Sequence, residues 1–579
     1  MTEMEMSIAS THYTILPTHQ AKGTIYNGYD TFAALLGEEK LYLLDGYIGV
    51  NWQEVIEAVS AELRLKDIDF DLISFEDAWK SETEIEILVS PYTGGDDLLF
   101  GTKTDLSLID FYEPTKINSF PPLREGVLTI VYGSGASFYN ADAPLLYIDL
   151  PKTTLISRMR KGQISNLGTK EIRDTKQTYK RFYFIDWEVL NRHKKELLPR
   201  TRIIADQQSE GTITWMYGMH LRETLEQMAQ SYFRVRPAFE PGVWGGQWMK
   251  QHMTGLDQSP PNYAWSFEMI VPENGLILKD GQNMLEVSFD YIMYTAGQNV
   301  LGRAYNRFGD QFPIRFNFLD TFDGGNLSIQ CHPSLSYAKQ EFGEQITQDE
   351  TYYVVDHKED SQVYLGFQED IDPTTFRTAL EDSFHTGTAI DIEKYVQKFP
   401  AQKHALYLIP NGTVHSSGTN NLVLEISATP YNFTFKMYDW VRPDLDGKPR
   451  PLNIDRAFDN LNFDRKGKIV QDTLLSKPVV TLIDKSTSLV HLPTHEEHFY
   501  DVYRYDFIEQ VSADTKGQCH ILMLVEGTAV ELTTSDGSQQ IFNYVETFAI
   551  PAASGGYTLR NLGNTAAKVV VAYVKEESC

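Results

Sequence analysis

Leu327-Ser328-Ile329-Gln330-Cys331-His332-Pro333 is the stretch from which the later two thirds of this 579-residue chain can be read. Its alternation and closing proline predict a short strand. Side chains alternate across a pleat, so Gln330 and His332 share one face while Cys331 takes the other. On both sides of it, from about residue 239 onward, short alternating segments are separated by Gly, Asn, Asp and Pro, the texture of an all-β sandwich. A helical interlude at about 374–398 interrupts them. Two more segments there carry candidate donors. Glu350 in Asp349-Glu350-Thr351-Tyr352-Tyr353 stands at the mouth of a strand, and Pro410-Asn411-Gly412 forms a tight turn that presents His415. Two imidazoles, a carboxylate and an amide oxygen suit a borderline divalent ion such as zinc, with room for water or substrate. Each residue alone has a plainer reading: a half-exposed strand face, a solvated strand-end charge, a hydrogen-bonded turn histidine. Spacing by itself does not join them.

Upstream, the first 210 or so residues alternate strands and helices. Apolar runs at 41–45, 70–73, 128–132 and 145–150 predict strands, and 52–65 has helical spacing with Val55, Ile56 and Val59 on one stripe. This rhythm predicts an α/β domain with a mostly parallel sheet. An amphipathic helix over 219–232, broken by Arg234-Val235-Arg236-Pro237, precedes the change of texture. The expected divisions are 1–212, an α/β domain; 213–238, a connecting helix and linker; 239–475, a β domain with a helical insertion at about 370–400; and 476–579, a second β domain.

The chain is too long for one core and ordinary in composition, with 42% hydrophobic and 22% charged residues. A net charge of -28 argues against nucleic-acid or anionic-membrane partners, though not against a small anion in a locally basic pocket. No apolar run approaches the roughly 20 residues of a membrane span. Met1-Thr2-Glu3-Met4-Glu5-Met6 lacks the basic start of a signal peptide, so a cytoplasmic location is expected. Cys331, Cys519 and Cys579 are too scattered for a disulfide framework or a thiolate metal site. His495-Glu496-Glu497-His498 has the wrong spacing for a metalloprotease helix and reads as a charged surface loop. Lys180-Arg181-Phe182-Tyr183-Phe184-Ile185-Asp186-Trp187 reads as a buried strand with a charged lead-in.

The β-rich part resembles class I mannose-6-phosphate isomerases, a cupin-type family. Gln330-Cys331-His332-Pro333 followed by Tyr337-Ala338 is similar to that family's Gln-x-His-Pro stretch, and Asp349-Glu350-Thr351-Tyr352-Tyr353-Val354 to its Thr-Glu-x-x-Tyr. Ile409-Pro410-Asn411-Gly412-Thr413-Val414-His415-Ser416-Ser417-Gly418 resembles Ile/Val-Pro-x-Gly-Thr-x-His-x-x-Gly. Tyr438-Asp439-Trp440-Val441-Arg442, Asp446-Gly447-Lys448-Pro449-Arg450 and Trp244-Gly245-Gly246 extend the likeness. The resemblance implies one zinc held by Gln330, His332, Glu350 and His415, with Arg442 catalytic and Trp244 and Lys436 as substrate contacts. It implies interconversion of mannose 6-phosphate and fructose 6-phosphate through a cis-enediol. The chain departs from the family at Gln348, where lysine is usual, and Lys339, Lys436 or Lys448 could substitute. Ala264-Trp265-Ser266-Phe267-Glu268 replaces the expected Glu-Ser-Trp.

The first domain resembles uridine-kinase-like nucleoside kinases through Asp96-Asp97, Phe100-Gly101, Asp110-Phe111-Tyr112 and Leu145-Leu146-Tyr147-Ile148-Asp149. Against a P-loop, however, Gly46-Tyr47-Ile48-Gly49-Val50-Asn51-Trp52-Gln53 has tryptophan for the phosphate-binding lysine and glutamine for the magnesium-binding hydroxyl, so a degenerate relative is expected. Alternatives to a mannose-6-phosphate isomerase are a non-catalytic or regulatory sugar-phosphate binding protein, an isomerase of another aldose, and, more distantly, a kinase. The sequence leaves oligomeric state open.

Overall fold

The computed structural model describes residues 12–579 apart from 96, 272–273, 429–432, 445–446 and 448–449. The sequence readings at Asp96, Asp446, Lys448 and Pro449 and at the N-terminal hexapeptide lie outside the described residues.

The α/β expectation is met by a seven-stranded sheet in the order Tyr26–Asn27, Thr214–Tyr217, Thr201–Asp206, Leu145–Asp149, Leu41–Gly46, Leu128–Tyr132, Phe70–Ser74. The last five are parallel. Leu41–Gly46 and Leu145–Asp149 are buried along their whole length, as strands covered on both faces must be. Helix Trp52–Leu65 covers one face with Val55, Ile56, Val59 and Leu63; Asn51 caps it, accepting a hydrogen bond from the Glu54 amide.

The turn entering that helix is not a phosphate cradle. Several of its amides are committed within the protein: Tyr47 N donates to the Ile148 carbonyl, Trp52 N to Val50 and Asn51 N to the Gln207 side chain. Leu150, Leu155 and Ile164 crowd the hollow beside Gly49, and the Trp52 ring packs toward Tyr132. Isothermal titration of the full chain with ATP is therefore expected to show no saturable binding below millimolar concentration.

The carboxyl ends of parallel strands are where α/β sheets usually hold ligands. Here strand Met284–Ser288 and the start of helix Asp290–Leu301 occupy that edge. Asp149 accepts hydrogen bonds from the Ser288 amide (3.0 Å) and hydroxyl (2.6 Å), and Asp206 accepts one from the Glu286 amide (3.1 Å). Lys152 and Lys194, both buried, each lie 3.1 Å from the Asp290 carboxylate. Burial alone would raise that carboxyl, but the two ammonium groups hold it down to about 2. Segment Thr18–Gln20 pairs in parallel with Gly275–Lys279, binding the start of the chain to this same region.

Beyond residue 238 the expected all-β texture is observed as two successive antiparallel sandwiches. In the first, a six-stranded sheet runs Leu406–Ile409, Asp349–His357, Asn421–Ala428, Ile314–Asp320, Trp265–Met269, Ala238–Glu240. It packs on a five-stranded sheet, Val396–Pro400, Gln362–Phe367, His415–Ser417, Ile329–Cys331, Phe435–Tyr438, through Leu319, Tyr352, Val363 and Leu365. The second sandwich pairs a six-stranded sheet containing Tyr500–Phe507 and Ala567–Val574 with a four-stranded one containing Ala529–Thr534.

Three local readings are corrected. The aromatic run after Lys180 is helical: Thr175–Arg181 continues through a wide turn, Phe182–Asp186, into Trp187–Leu197. All five residues of that turn are buried, and apolar residues on every side erase the periodicity that separates helix from strand. The helical interlude ends sooner than read, at Thr386, where Gly387 adopts the left-handed conformation and stops it. His498 is not in a surface loop; it is buried and stacks on Tyr500 at 5.2 Å.

Candidate metal centre

Strand register assembles the site. Gln330 lies opposite His415 on one neighbouring strand and Lys436 on the other, so three functional side chains share one rung and one face of the five-stranded sheet. His332 follows on the same face just past the strand end, and Cys331 points away toward the Ala457 carbonyl. Glu350 reaches in from the opposing sheet. The centre therefore lies inside the first sandwich.

His332 Nε2 and His415 Nε2 lie 2.9 and 2.7 Å from the same Glu350 oxygen. All three residues are 0–1% exposed, and their donor atoms fall within 4.8 Å of one another. The other ring nitrogens fix the chemistry. His332 Nδ1 is 2.9 Å from the Phe433 carbonyl and His415 Nδ1 2.9 Å from the Thr413 carbonyl. A carbonyl only accepts, so each Nδ1 carries the hydrogen and each neutral ring turns an Nε2 lone pair onto a carboxylate. Lone pairs facing lone pairs in a dry interior demand a cation, either added protons or a metal ion. Burial works against charge at both ends, yet the mutual attraction wins: Glu350 is held well below the usual carboxylate range and His332 is raised.

Gln330 stands at the edge of this group. Its Oε1 accepts from the Ser328 hydroxyl (2.8 Å) while its Nε2 faces His415 (3.3 Å). A half-turn of the amide would present the oxygen to the group and an N–H to Ser328. The residues present thus fit a divalent ion bound by nitrogen and oxygen, with two imidazoles, one carboxylate and one amide oxygen available.

The group opens on a cavity of about 780 Å³, with Gln330, Gln348 and Glu350 in its wall. Trp244, buried and set edge-on to Trp265 at 4.6 Å, lines it too. Gln348 Nε2 donates to Glu350 (3.3 Å), and its Oε1 is buried without a protein partner. Of the three lysines considered as substitutes for the family's cation, Lys436 lines the cavity and Lys339 is exposed on helix Leu335–Phe342; Lys448 lies outside the described residues. Burial, with Arg450 close by, pushes Lys436 down to about 8.

Arg442, which the resemblance makes catalytic, sits beside Gly325 near Trp244. Its guanidinium is clamped by Asp439 (Nε to Oδ1 3.0 Å), and the cavity wall includes Arg450 rather than Arg442. Arg450 shares Asp439. The turn carrying Arg442 puts Trp440 and Val441 at φ of 58° and 54°, a backbone conformation costly for a β-branched residue. The Trp440 indole N–H donates to the Leu327 carbonyl (2.8 Å), tying the turn to the donor-bearing segment.

Sequence reasoning did not see that the first domain supplies part of the wall. Phe100, Arg160, Lys176 and Tyr179 line the same cavity as Glu350. No one-dimensional signal marks them, since the contact arises only when the α/β sheet docks.

Comparison with known proteins adds the following. A family model described as a domain of unknown function (DUF8485) matches residues 28–230. Mannose-6-phosphate isomerase ManA of Bacillus subtilis is 24% identical over 225 residues, 39% of this chain and 66% of that protein. Mannose-6-phosphate isomerase of Streptococcus mutans is 24% identical over 291 residues, 50% of this chain and 82% of that one. Among solved structures, mannose 6-phosphate isomerase from Bacillus subtilis covers 60% of this chain and 100% of its own, at 20% identity and a TM-score of 0.49. A phosphomannose isomerase variant from Salmonella typhimurium gives the same coverage at 14% identity and 0.45. Among the described residues no helix is long and apolar enough to cross a membrane.

Proposed function

We propose that this chain is a metal-dependent isomerase of a phosphorylated aldose and its ketose, with mannose 6-phosphate and fructose 6-phosphate as the first pair to test. The observation that carries it is the pair of Nε2 lone pairs aimed at one buried carboxylate on the wall of a substrate-sized cavity. The relatives named as mannose-6-phosphate isomerases supply the reaction class.

In this reading His332, His415, Glu350 and Gln330 hold a single zinc ion, which when bound would polarise the oxygens on the two carbons that exchange a proton. The backbone carbonyls of Phe433 and Thr413 keep both imidazoles in the ligating tautomer. Gln348, with its unpartnered oxygen, is placed to accept a hydrogen bond from a sugar hydroxyl. Lys436 and Arg450 bind the phosphate, and Trp244 walls the sugar ring. Arg442, with its fixed charge, stays the assigned guanidinium for enediolate charge, acting from its Asp439 clamp.

Two results are expected from a coupled isomerase assay. Chelation abolishes turnover and zinc restores it. Lys436→Met raises KM by about ten-fold, the loss of one charge-assisted contact, with a smaller effect on kcat. Folded, metal-loaded protein that interconverts no hexose phosphate would sink the proposal. A second reading, sugar-phosphate binding without turnover, is favoured by one feature: neutral Gln348 sits against Glu350 where the resembling enzymes carry a lysine. Tight ligand binding with no isomerisation would select it.

For residues 1–212 we take the degenerate P-loop relationship as the origin of the fold and assign no phosphoryl transfer. The parallel sheet supports the relationship. The occupied carboxyl edge and Trp52 speak against activity.

A further inference from the structure

The cavity has a basic pole that belongs to neither domain alone. Helix Thr175–Arg181 of the α/β unit presents Thr175, Lys176 and Tyr179 to the cavity. Lys176 Nζ lies 3.5 Å from Asp444, a long contact between half-exposed groups. Behind it stand Lys436, half-buried, and Arg450, which with Arg442 shares Asp439. Among the described residues this places Lys176, Lys436, Arg442 and Arg450 around only Asp439 and Asp444. Three cations, Lys176, Lys436 and Arg450, thus meet on one wall of the cavity in a chain whose net charge is -28. An ordinary structural network would be neutral. Here the cations face the cavity, and Lys436 stands on the rung that also carries Gln330 and His415.

We propose that Lys176, supplied by the N-terminal α/β unit, completes an anion-binding pole with Lys436 and Arg450, so that the phosphate of the sugar is held across the junction of the two units. This rests on the isomerase reading above for its substrate. It makes the N-terminal unit part of the substrate site: a positioning and specificity element that puts a cation where the chain has Gln348 instead of lysine. Arg160, tied to Glu240 at 2.8 Å, belongs to the mouth of the same cavity and fixes the α/β unit against it.

The test uses the full-length, zinc-loaded protein and two readouts. Isothermal titration with inorganic phosphate is compared for wild type, Lys176→Met, Lys176→Arg and, as a control for net charge outside the cavity, Lys66→Met. KM and kcat for mannose 6-phosphate are measured on the same set. Lys176→Met is expected to weaken phosphate binding by about ten-fold and raise KM in parallel, with kcat within about two-fold, whereas Lys176→Arg keeps both within about three-fold of wild type. Lys66→Met changes neither. Unaltered phosphate affinity in Lys176→Met overturns the proposal, as does an equal loss in Lys66→Met or a wild type that binds no phosphate. Absence of turnover in a wild type that still binds phosphate sinks the isomerase reading instead, and the titration still decides the role of Lys176.

Discussion

His415→Ala is expected to purify without a stoichiometric metal ion and to lose at least about 100-fold in turnover, because losing groups that merely orient ligands already costs about 10–100-fold. His415 is fully buried, its Nδ1 is fixed by the Thr413 carbonyl, and its Nε2 is one of two nitrogens on Glu350. Its removal also leaves a buried carboxylate facing a single imidazole. Stripping one partner from a buried ion pair costs about 3–5 kcal/mol, with the lower end expected where a second partner remains. The melting temperature should therefore fall in chelator as well as in zinc. Elemental analysis of the purified variant and melting curves in both conditions check this. One equivalent of bound zinc in His415→Ala would show that the cluster is not the metal site.

The second large effect lies far from the chemistry. Asp290→Ala is expected to shift the urea midpoint of the whole chain downward, by an amount equivalent to about 3–5 kcal/mol, because it leaves two buried ammonium groups without their shared counter-ion. Lys152 and Lys194 are 2% and 1% exposed, and Asp149, the other carboxylate near Lys194, lies farther off at 3.5 Å and already accepts two hydrogen bonds from Ser288. Asp290→Asn should recover only part of the loss, since it restores shape without charge. Fluorescence of tryptophans in the first unit (Trp187, Trp215) and in the first sandwich (Trp244, Trp265) should move to lower urea together. A midpoint unchanged within error would mean that the junction carries little of the stability.

Much of the fold was legible because its signals are local. Runs at 41–45 and 145–150, apolar but for Asp45 and Asp149, interleaved with a clean helical stripe at 52–65, suffice for a parallel sheet, and dense turn residues after 239 suffice for sandwiches. The legibility ended where burial was complete: Phe182–Ile185 is apolar on all sides, so its helical wide turn left no period to detect. His498 misled in the opposite sense, its acidic neighbours disguising a buried ring. At the centre, alternation placed Gln330 and His332 together, but neither Glu350 nor His415 could be joined to them without the family resemblance. That Gln330 has His415 and Lys436 on either side is a matter of strand register across long sequence separations. The clamp of Arg442 on Asp439, and the presence of Arg450 rather than Arg442 in the wall, depend on how one turn closes. Lys176 was invisible for a stronger reason: its partners belong to another domain.

The shared wall of the cavity has a consequence for how such a protein can change over generations. The atoms proposed to perform the reaction lie inside a sandwich, while part of the rim is contributed by helix Thr175–Arg181 of the α/β unit. On the proposed reading, substitutions on that rim would alter phosphate affinity while leaving the residues of the His332–Glu350–His415 group in place. Affinity for the anion and the chemistry at the metal group would thereby be open to separate change within one chain.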